Sequence, residues 1–501
     1  MTTKLFLLTL LTLLLWWPAN CQNFNRPYPD GLFPYEYQEL ENLSNGYVLA
    51  TPMKLFSSPT SPNFLSPYPV IYDPQGYIAW YSKPNVGMAL DFKYFEQADK
   101  YVYTFIKQGN VNGLVLDGQF NILDTLSTFD AYDVHDVQLA ANGNWLITTA
   151  YFDTMDLSAF TFDGTQGGVQ TVVKGFGYEE IDPSGNLVGS YNSNSNVHPT
   201  ETYDFWGYNV NSFDYCHGNA IEEDTDGNFL LSHRHLNSIH KIDRATGDII
   251  WRLGGEISDF TFVNDTGFSG QHDIRRLDNG NYSIFDNGNM SGVTRSVSYS
   301  LDTINWTATK VDEYIHPIGA TSTAMGSFQT CDDGIEVLGY GLIYRPDPSA
   351  TIIDENQNRL GEYYFQDSVV SYRFLRYDLT LPARPEISCN WNGSNWELLV
   401  SGNYTDYAWS TGANTNSIVI TQPGTYQVWV DQGAGMLGSL PLIISDMNNP
   451  CSVGLEELAQ KDGDFEYYNL LGVKIENPQT NTVYLKVYES GKIEKLVFTM
   501  K

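Results

Sequence analysis

Three segments of the chain have nearly the same wording, and a repeat of this kind restricts the fold more than any composition does. They are His135-Asp136-Val137-Gln138-Leu139-Ala140-Ala141-Asn142-Gly143-Asn144-Trp145-Leu146, then His217-Gly218-Asn219-Ala220-Ile221 running to Gly227-Asn228-Phe229-Leu230, then His272-Asp273-Ile274-Arg275-Arg276-Leu277-Asp278-Asn279-Gly280-Asn281-Tyr282-Ser283. In each, a histidine opens an alternating apolar strand, a Gly-Asn turn follows eight to ten residues later, and an aromatic-led strand returns. Period and turn chemistry both describe a β-hairpin. Three hairpins with the same side chain at the same place predict a repeat architecture that aims three imidazoles at one point.

The same strand-turn-strand grammar extends on both sides. Gly46 to Tyr81 makes one unit and Met88 to Asp117 a second; the histidine hairpins head three more, each followed by strands around an acidic turn such as Ile181-Asp182-Pro183-Ser184-Gly185-Asn186. A sixth unit begins at Met325-Gly326-Ser327-Phe328, where Gly326 takes the histidine's place. Six units of four strands, none able to bury its own sheet faces, predict an all-β fold with a six-bladed β-propeller over residues 22–382. The insertion between Thr154 and Thr202 is expected to form long loops over one face. A sandwich or a solenoid is the lesser alternative.

Composition agrees and excludes one class of partner. Aromatics make up 14 % of 501 residues, beside 43 Gly and 22 Pro, as tight-turned β-proteins require. With 27 Lys and Arg against 59 Asp and Glu, the net charge of −32 offers no basic footprint for nucleic acid. The start, Lys4 and then an apolar run from Leu5 to Trp17 ending in Pro18-Ala19-Asn20-Cys21, has the form of a secretory signal over residues 1–21. Four cysteines follow it, and no pair has the spacing of a zinc site. Cys389 and Cys451 bracket a C-terminal module, where an exported protein can keep a disulfide, while Cys216 and Cys331 are expected as buried thiols.

Beyond the break at Pro382-Ala383-Arg384-Pro385, residues 385–447 resemble the Ig-like β-sandwich modules of secreted bacterial proteins. Residues 454–501, with Tyr468-Asn469-Leu470-Leu471-Gly472 and Val483-Tyr484-Leu485-Lys486-Val487, resemble the C-terminal sorting domain of type IX secretion substrates. That resemblance implies the type IX secretion machinery as a partner, and a place outside the cell or on its surface.

In a propeller the first strand of each blade lines the central channel. Histidines opening that strand in successive blades would therefore surround one cavity, and Arg234, in Ser232-His233-Arg234-His235 where the second strand ends, would reach the same rim. Three imidazoles with a guanidinium make a positive pocket whose natural ligand is a small oxyanion. His233, His235 and His240 are expected to be structural, since neighbours on a strand alternate faces; His198 and His316 are expected in loops.

From His135 to about Arg376 the chain resembles the bacterial arylsulfate sulfotransferase family. The resemblance rests on His217-Gly218-Asn219-Ala220-Ile221, Ser232-His233-Arg234-His235, Ile249-Ile250-Trp251-Arg252-Leu253-Gly254-Gly255, Gly270-Gln271-His272-Asp273, Phe285-Asp286-Asn287-Gly288 and Thr294-Arg295. It implies a six-bladed propeller whose nucleophile is the histidine of the Gln-His motif, His272. It further implies that His217 and Arg234 hold the sulfuryl oxygens and that His135 completes the pocket. A ping-pong transfer from an aryl sulfate to a phenol would follow, with no nucleotide sulfate donor and no cofactor. Ala220 and His233 stand where family members often have Ser, and the extra N-terminal β-domain of well-known members is expected to be absent or reduced, from the short stretch between the signal and His135.

Two other readings compete. Three histidines can also bind zinc or iron, with Asp136 or Asp273 as outer acceptors, but Arg234 would set a fixed cation beside the metal. A surface propeller that binds glycans or sulfated polymers without catalysis fits the flanking modules equally well. Asp224-Thr225-Asp226-Gly227-Asn228 hints at a calcium loop but lacks the terminal Glu of an EF-hand, which favours a plain hairpin turn.

Overall fold

In the computed structural model, residues 25–54, 67–83, 88–205 except 108–109, 208–448 and 450–451 are described, together with the backbone of strands Phe465–Tyr468, Lys474–Ile475, Val483–Tyr488 and Ile493–Val497. The expected signal at 1–21 lies outside these residues, as does most of 454–501. Regular structure among the described residues is strand, apart from three short 3-10 turns. The chain divides into two compact units, one of residues 1–386, 400–416 and 427–441, the other of 387–399, 417–426 and 442–501.

The first unit carries six sheets, each built on four antiparallel strands that follow one another along the chain, except that sheet I takes its first strand from near the end of the repeat. Sheet I is Val369–Tyr377, Tyr47–Lys54, Val70–Tyr72 and Ile78–Ser82; sheet II runs from Met88–Phe95 to Ile122–Leu126, and sheet III from Ala131–Leu139 to Leu187–Asn192. Sheet IV runs from Gly218–Glu223 to Ile249–Gly254, sheet V from His272–Arg276 to Thr307–Tyr314, and sheet VI from Ser327–Thr330 to Arg359–Phe365. Tyr35–Glu39 pairs with the last strand of sheet VI, while Val369–Tyr377 supplies the first strand of sheet I. Both ends of the repeat are thereby stitched across its seam.

Each neighbouring pair of sheets shares a core, and the sequence of cores closes on itself. Trp80 and Phe92 pack between I and II, Val115 and Val137 between II and III, Phe176 and Leu231 between III and IV. Leu230 and Ile274 pack between IV and V, Phe285 and Phe328 between V and VI, Val337 and Val48 between VI and I. Alternation sorts the side chains: Phe229 and Leu231 face sheet III, while Leu230 between them faces sheet V. A sheet buried on both faces reads as a nearly unbroken apolar run, as Phe229-Leu230-Leu231 does.

The expected insertion at 154–202 is not a set of loops. Trp145–Met155 and Thr171–Ile181 are long strands paired from end to end, joined through a small hairpin of Thr161–Phe162 and Thr165–Gln166. Residues 385–447 are shared between the two units. Gly435–Gly438, Val428–Gln432 and Tyr407–Trp409 continue sheet I beyond Ile78–Ser82, and Trp429 donates its indole N–H to the Ile78 carbonyl at 3.0 Å. The second unit holds short antiparallel sheets and the Cys389–Cys451 disulfide. Cys216 and Cys331 are free thiols, the first buried and the second partly so.

At the centre of the ring every first strand contributes one polar side chain that ties it to its neighbours. Asp91 accepts the Val137 N–H (3.1 Å), Asp136 the Ile221 N–H (3.0 Å) and Asp273 the Phe328 N–H (3.0 Å). Asn219 donates to the Gln271 carbonyl (2.7 Å), and Ser327 accepts the Phe374 N–H (3.0 Å). The sixth is Arg373, which is paired with Asp91, lies 3.3 Å from Asp136 and 3.2 Å from Asp273, and donates to the Asn219 carbonyl at 3.1 Å. Lys93 joins Asp91 to Asp136, and Arg275 joins Asp136 to Asp273. Three buried carboxylates thus face three cations. Burial pushes the Asp136 pKa up, but Arg373, Lys93 and Arg275 pull it further down, well below the usual carboxylate range. Asp136 and Asp273 are therefore plug residues and not outer acceptors for the histidines.

Breaking a buried ion network leaves charge without compensation. Arg373→Met should cost about 3–5 kcal/mol in urea unfolding, and a loss below about 1 kcal/mol would contradict this account of the plug. Glu222, 3.5 Å from Arg275, has its pKa pushed up to about 7, chiefly by burial. The folded state therefore holds this proton more tightly than the unfolded chain. Its contribution to stability falls as pH rises from about 4.5 to about 7, by about 3 kcal/mol. Glu222→Gln should flatten that part of the stability profile, as followed by denaturant midpoints across the range.

Candidate active site

The residues just before the plug residues mark out the site. In order these are Leu90, His135, His272, Gly326 and Tyr372, with His217 two places before Asn219. The rings gather as the repeat predicts. His135 and His217 lie with centroids 5.1 Å apart, and Tyr372 lies 5.7 Å from His135 and 6.4 Å from His272. The Arg234 charge bears on His272, as do those of His135 and His217 when protonated.

His272 is buried and bonded on both nitrogens. Nδ1 lies 2.7 Å from Asn287 Oδ1 and 3.1 Å from the Gly270 carbonyl, and Nε2 accepts the Met325 N–H at 3.1 Å. Asn287 cannot present its amide nitrogen to the ring, because that nitrogen already donates to the carbonyls of Ser322 (3.2 Å) and Met325 (2.9 Å). The network therefore sets the tautomer: the proton is on Nδ1 and the lone pair on Nε2. Burial and then the Arg234 guanidinium lower the pKa of His272 well below its ordinary value, so the ring is neutral at pH 7. Gln271 fixes the base of this strand by donating to the carbonyls of His233 (3.1 Å) and Ser238 (3.2 Å) in sheet IV.

His135 and His217 are mounted alike. The Asp214 carboxylate accepts the His217 backbone N–H at 3.0 Å and its Nδ1–H at 2.9 Å. Asp133 does the same for His135, taking the backbone N–H at 3.1 Å and pairing with Nδ1. In both, Nδ1 is occupied and Nε2 is left for the pocket. Burial lowers the His217 pKa, against the opposing pull of Asp214. The backbone of His217 is left-handed at φ 40°, and Gly218 must lack a side chain because the Phe176 ring lies where its Cβ would be. Both carboxylates were missed from sequence, although Asp133-Val134-His135 and Asp214-Tyr215-Cys216-His217 put each within three residues of its histidine.

Arg234 donates from Nη1 to Asp204 at 3.2 Å and from Nη2 to the Thr323 carbonyl at 3.1 Å, while its buried Nε–H has no partner among the described residues. Gly326 cannot carry a histidine: with φ at 110°, its Cβ would meet the Phe285 ring. Among the remaining histidines, His233 and His240 form a buried pair 4.5 Å apart, and His198 caps an exposed 3-10 turn. His316 is in a loop but buried, 2.9 Å from Glu362. His235 is closer to the site than expected, stacked 4.7 Å from His217 with Nδ1 on the Asp214 carbonyl.

Asp214, His217 and His235 offer ligand-type atoms within 4.8 Å of one another. Lys174 is already 3.3 Å from Asp214, and Arg234 adjoins His235 in the chain, so a dication there would face two fixed cations. The sequence Asp224 to Asn228 is equally closed to calcium, because the Lys241 ammonium lies 2.7 Å from both Asp224 and Asp226.

Residues 110–352 match the sequence model of the family described as arylsulfotransferase (ASST), a span that contains His135, His217, Arg234 and His272. No curated protein matches the chain. Among solved structures it is similar to a protein of unknown function from Bacteroides caccae, at 10 % identity over 66 % of this chain and 99 % of that one, with a TM-score of 0.42. It is also similar to a catalytically inactive virginiamycin B lyase from Staphylococcus aureus, solved with quinupristin, at 11 % identity over 73 % of this chain and 96 % of that one, with a TM-score of 0.33. At these levels neither likeness bears on activity.

An oxyanion pocket built on Arg234 should bind free sulfate. Sulfate at ten times its Kd should raise unfolding free energy by about 1.4 kcal/mol over chloride of equal ionic strength. Sulfate also stabilises proteins non-specifically, so the gain must be compared with that of Arg234→Met. Equal gains in the two proteins would rule out this anion site.

Proposed function

We propose that this protein is an exported arylsulfate sulfotransferase built on a six-bladed β-propeller. It moves a sulfuryl group from an aryl sulfate to a phenolic acceptor through a sulfohistidine on His272, independently of nucleotide sulfate. The observation that carries the reading is the mounting of His272: Asn287 pins its proton on Nδ1, the Nε2 lone pair accepts the Met325 N–H, and burial with the Arg234 charge disfavours protonation of the ring. The ASST family match over the same residues supports it.

Sulfuryl transfer is in-line displacement at a centre with three equatorial oxygens, which positioning and charge can catalyse without metal or nucleotide. His272 Nε2 attacks sulfur, the S–O bond to the aryl group breaks, and the phenolate leaves. The ring becomes a sulfated imidazolium whose Nδ1–H donates to Asn287 Oδ1, so the positive charge is stabilised without loss of a proton. As the N–S bond forms, the Met325 N–H gives up Nε2 and turns to a sulfuryl oxygen. Arg234 Nε–H and His217 hold the others. His135 gives a proton to the departing phenolate and takes one from the incoming phenol. Two half-reactions through one covalent intermediate give ping-pong kinetics.

The flanking segments support a place for this chemistry: a signal at 1–21, an Ig-like module at 385–447 and a type IX sorting domain at 454–501 would deliver the enzyme outside the cell or to its surface. Incubation with 4-nitrophenyl sulfate should release nitrophenol beyond one equivalent per enzyme only when phenol is present as acceptor. His272→Ala should lower that rate at least about 10⁴-fold, and Asn287→Leu about 10–100-fold with little change in KM. Multiple-turnover release that needs no acceptor, or release undiminished in His272→Ala, would sink the proposal. Retained binding of sulfated polymers by an inactive wild type would favour a non-catalytic binding protein instead.

A further inference from the structure

The two histidine–carboxylate pairs are not independent. Lys174, on Thr171–Ile181 of sheet III, places its ammonium 3.3 Å from Asp214 and 3.7 Å from Asp133. One cation therefore sits between the two carboxylates that hold His135 and His217. We infer that Lys174 is a positioning residue that couples the Asp133–His135 and Asp214–His217 pairs, so that proton exchange at His135 and the charge His217 presents to the sulfuryl oxygens are set together in the transfer reaction. The catalytic part of this inference rests on the sulfuryl-transfer reading; the coupling itself does not.

The argument is one of charge balance. A buried carboxylate bonded to an imidazole favours imidazolium, and two such pairs side by side would hold two protons firmly. A shared ammonium partly neutralises both carboxylates and so weakens their hold on the ring protons. It also ties Asp214, which enters from Ser212–Asp214, to Asp133 on Ala131–Leu139, and both strands pair with other strands of sheet III. His235 stacks on His217; Asp204 is bonded to Arg234 and lies 3.6 Å from His235; Tyr372 lies against His135; Cys216 adjoins His217 as a neutral thiol, its pKa pushed up to about 12 chiefly by burial. Among the described residues Lys174 is the cation that bridges the two carboxylates. Consistently, Asp133 and Asp214 are both held far below the usual carboxylate range: burial pushes them up, but their histidines and Lys174 pull them down further.

The test uses the full-length protein with ¹³C-labelled histidine, followed by NMR from pH 5 to 9 in wild type, Lys174→Met and Lys174→Arg. Assignments would come from His135→Gln and His217→Gln. The titrations of His135 and His217 should move up by roughly one pH unit in Lys174→Met and return in Lys174→Arg. The alkaline limb of kcat/KM for 4-nitrophenyl sulfate, where His135 must still hold the proton it gives to the phenolate, should move the same way. A residue that merely supports the fold would lower activity without moving either curve. Unmoved titrations in folded Lys174→Met, or a shift that Lys174→Arg fails to reverse, would overturn the inference. An inactive wild type whose titrations still move with Lys174 would uphold the coupling and count only against sulfuryl transfer.

Discussion

A guanidinium taken out of water costs several kcal/mol unless its donors are met, and Arg373 has been placed where three strands of the repeat can meet them. Asp91, Asp136 and Asp273 lie on three sheets, and each also accepts a backbone N–H from the next first strand in the ring. The first strands cannot slide against one another without stranding a buried charge. Because the histidines stand one or two residues before this layer, the register of the plug is also the register of the site. Apolar cores between sheets supply most of the stability of such a ring, but they are tolerant of small shifts. The ionic layer is less tolerant, and sub-ångström placement of four side chains from three sheets requires that.

On this platform the site separates its polar groups by what holds them. His272 is mounted on uncharged partners, Asn287 and the backbone of Gly270 and Met325, and next to a guanidinium, an environment that favours a neutral ring. His135 and His217 are mounted on carboxylates, which favour proton uptake. The first is suited to nucleophilic attack, the others to handling protons and oxyanion charge. A repeat produced three similar rings, and their mounts made them different.

Much of this was legible in the sequence wherever the signal was local. Gly-Asn turns and period-two strands located the hairpins, and the repeat placed His135, His217 and His272 together with Arg234. The mounts were also local, since Asp133 and Asp214 precede their histidines by two and three residues, but attention to the Asp beside the histidine in His135-Asp136 and His272-Asp273 pointed the wrong way. Alternation on a strand explains that error: a neighbour one residue on faces the layer below. The plug was not legible, because Arg373 and Asp91 are 282 residues apart and nothing in either neighbourhood announces the other. Lys174 gave no signal for the same reason. The stretch from Thr154 to Thr202 was read as loop because its polar residues mask strands that pair over their full length. The strands of 407–438 join sheet I through a pairing that only the folded chain displays.

The central claim is that His272 carries the sulfuryl group, and the most direct measurement is rapid mixing of the enzyme with radiolabelled 4-nitrophenyl [³⁵S]sulfate in the absence of acceptor, followed by peptide mapping. The account predicts a burst of one nitrophenol per enzyme, acid-labile label on the peptide that contains His272, and loss of that label on addition of phenol. Turnover with no burst, or label that settles on another residue and persists in His272→Ala, would contradict it.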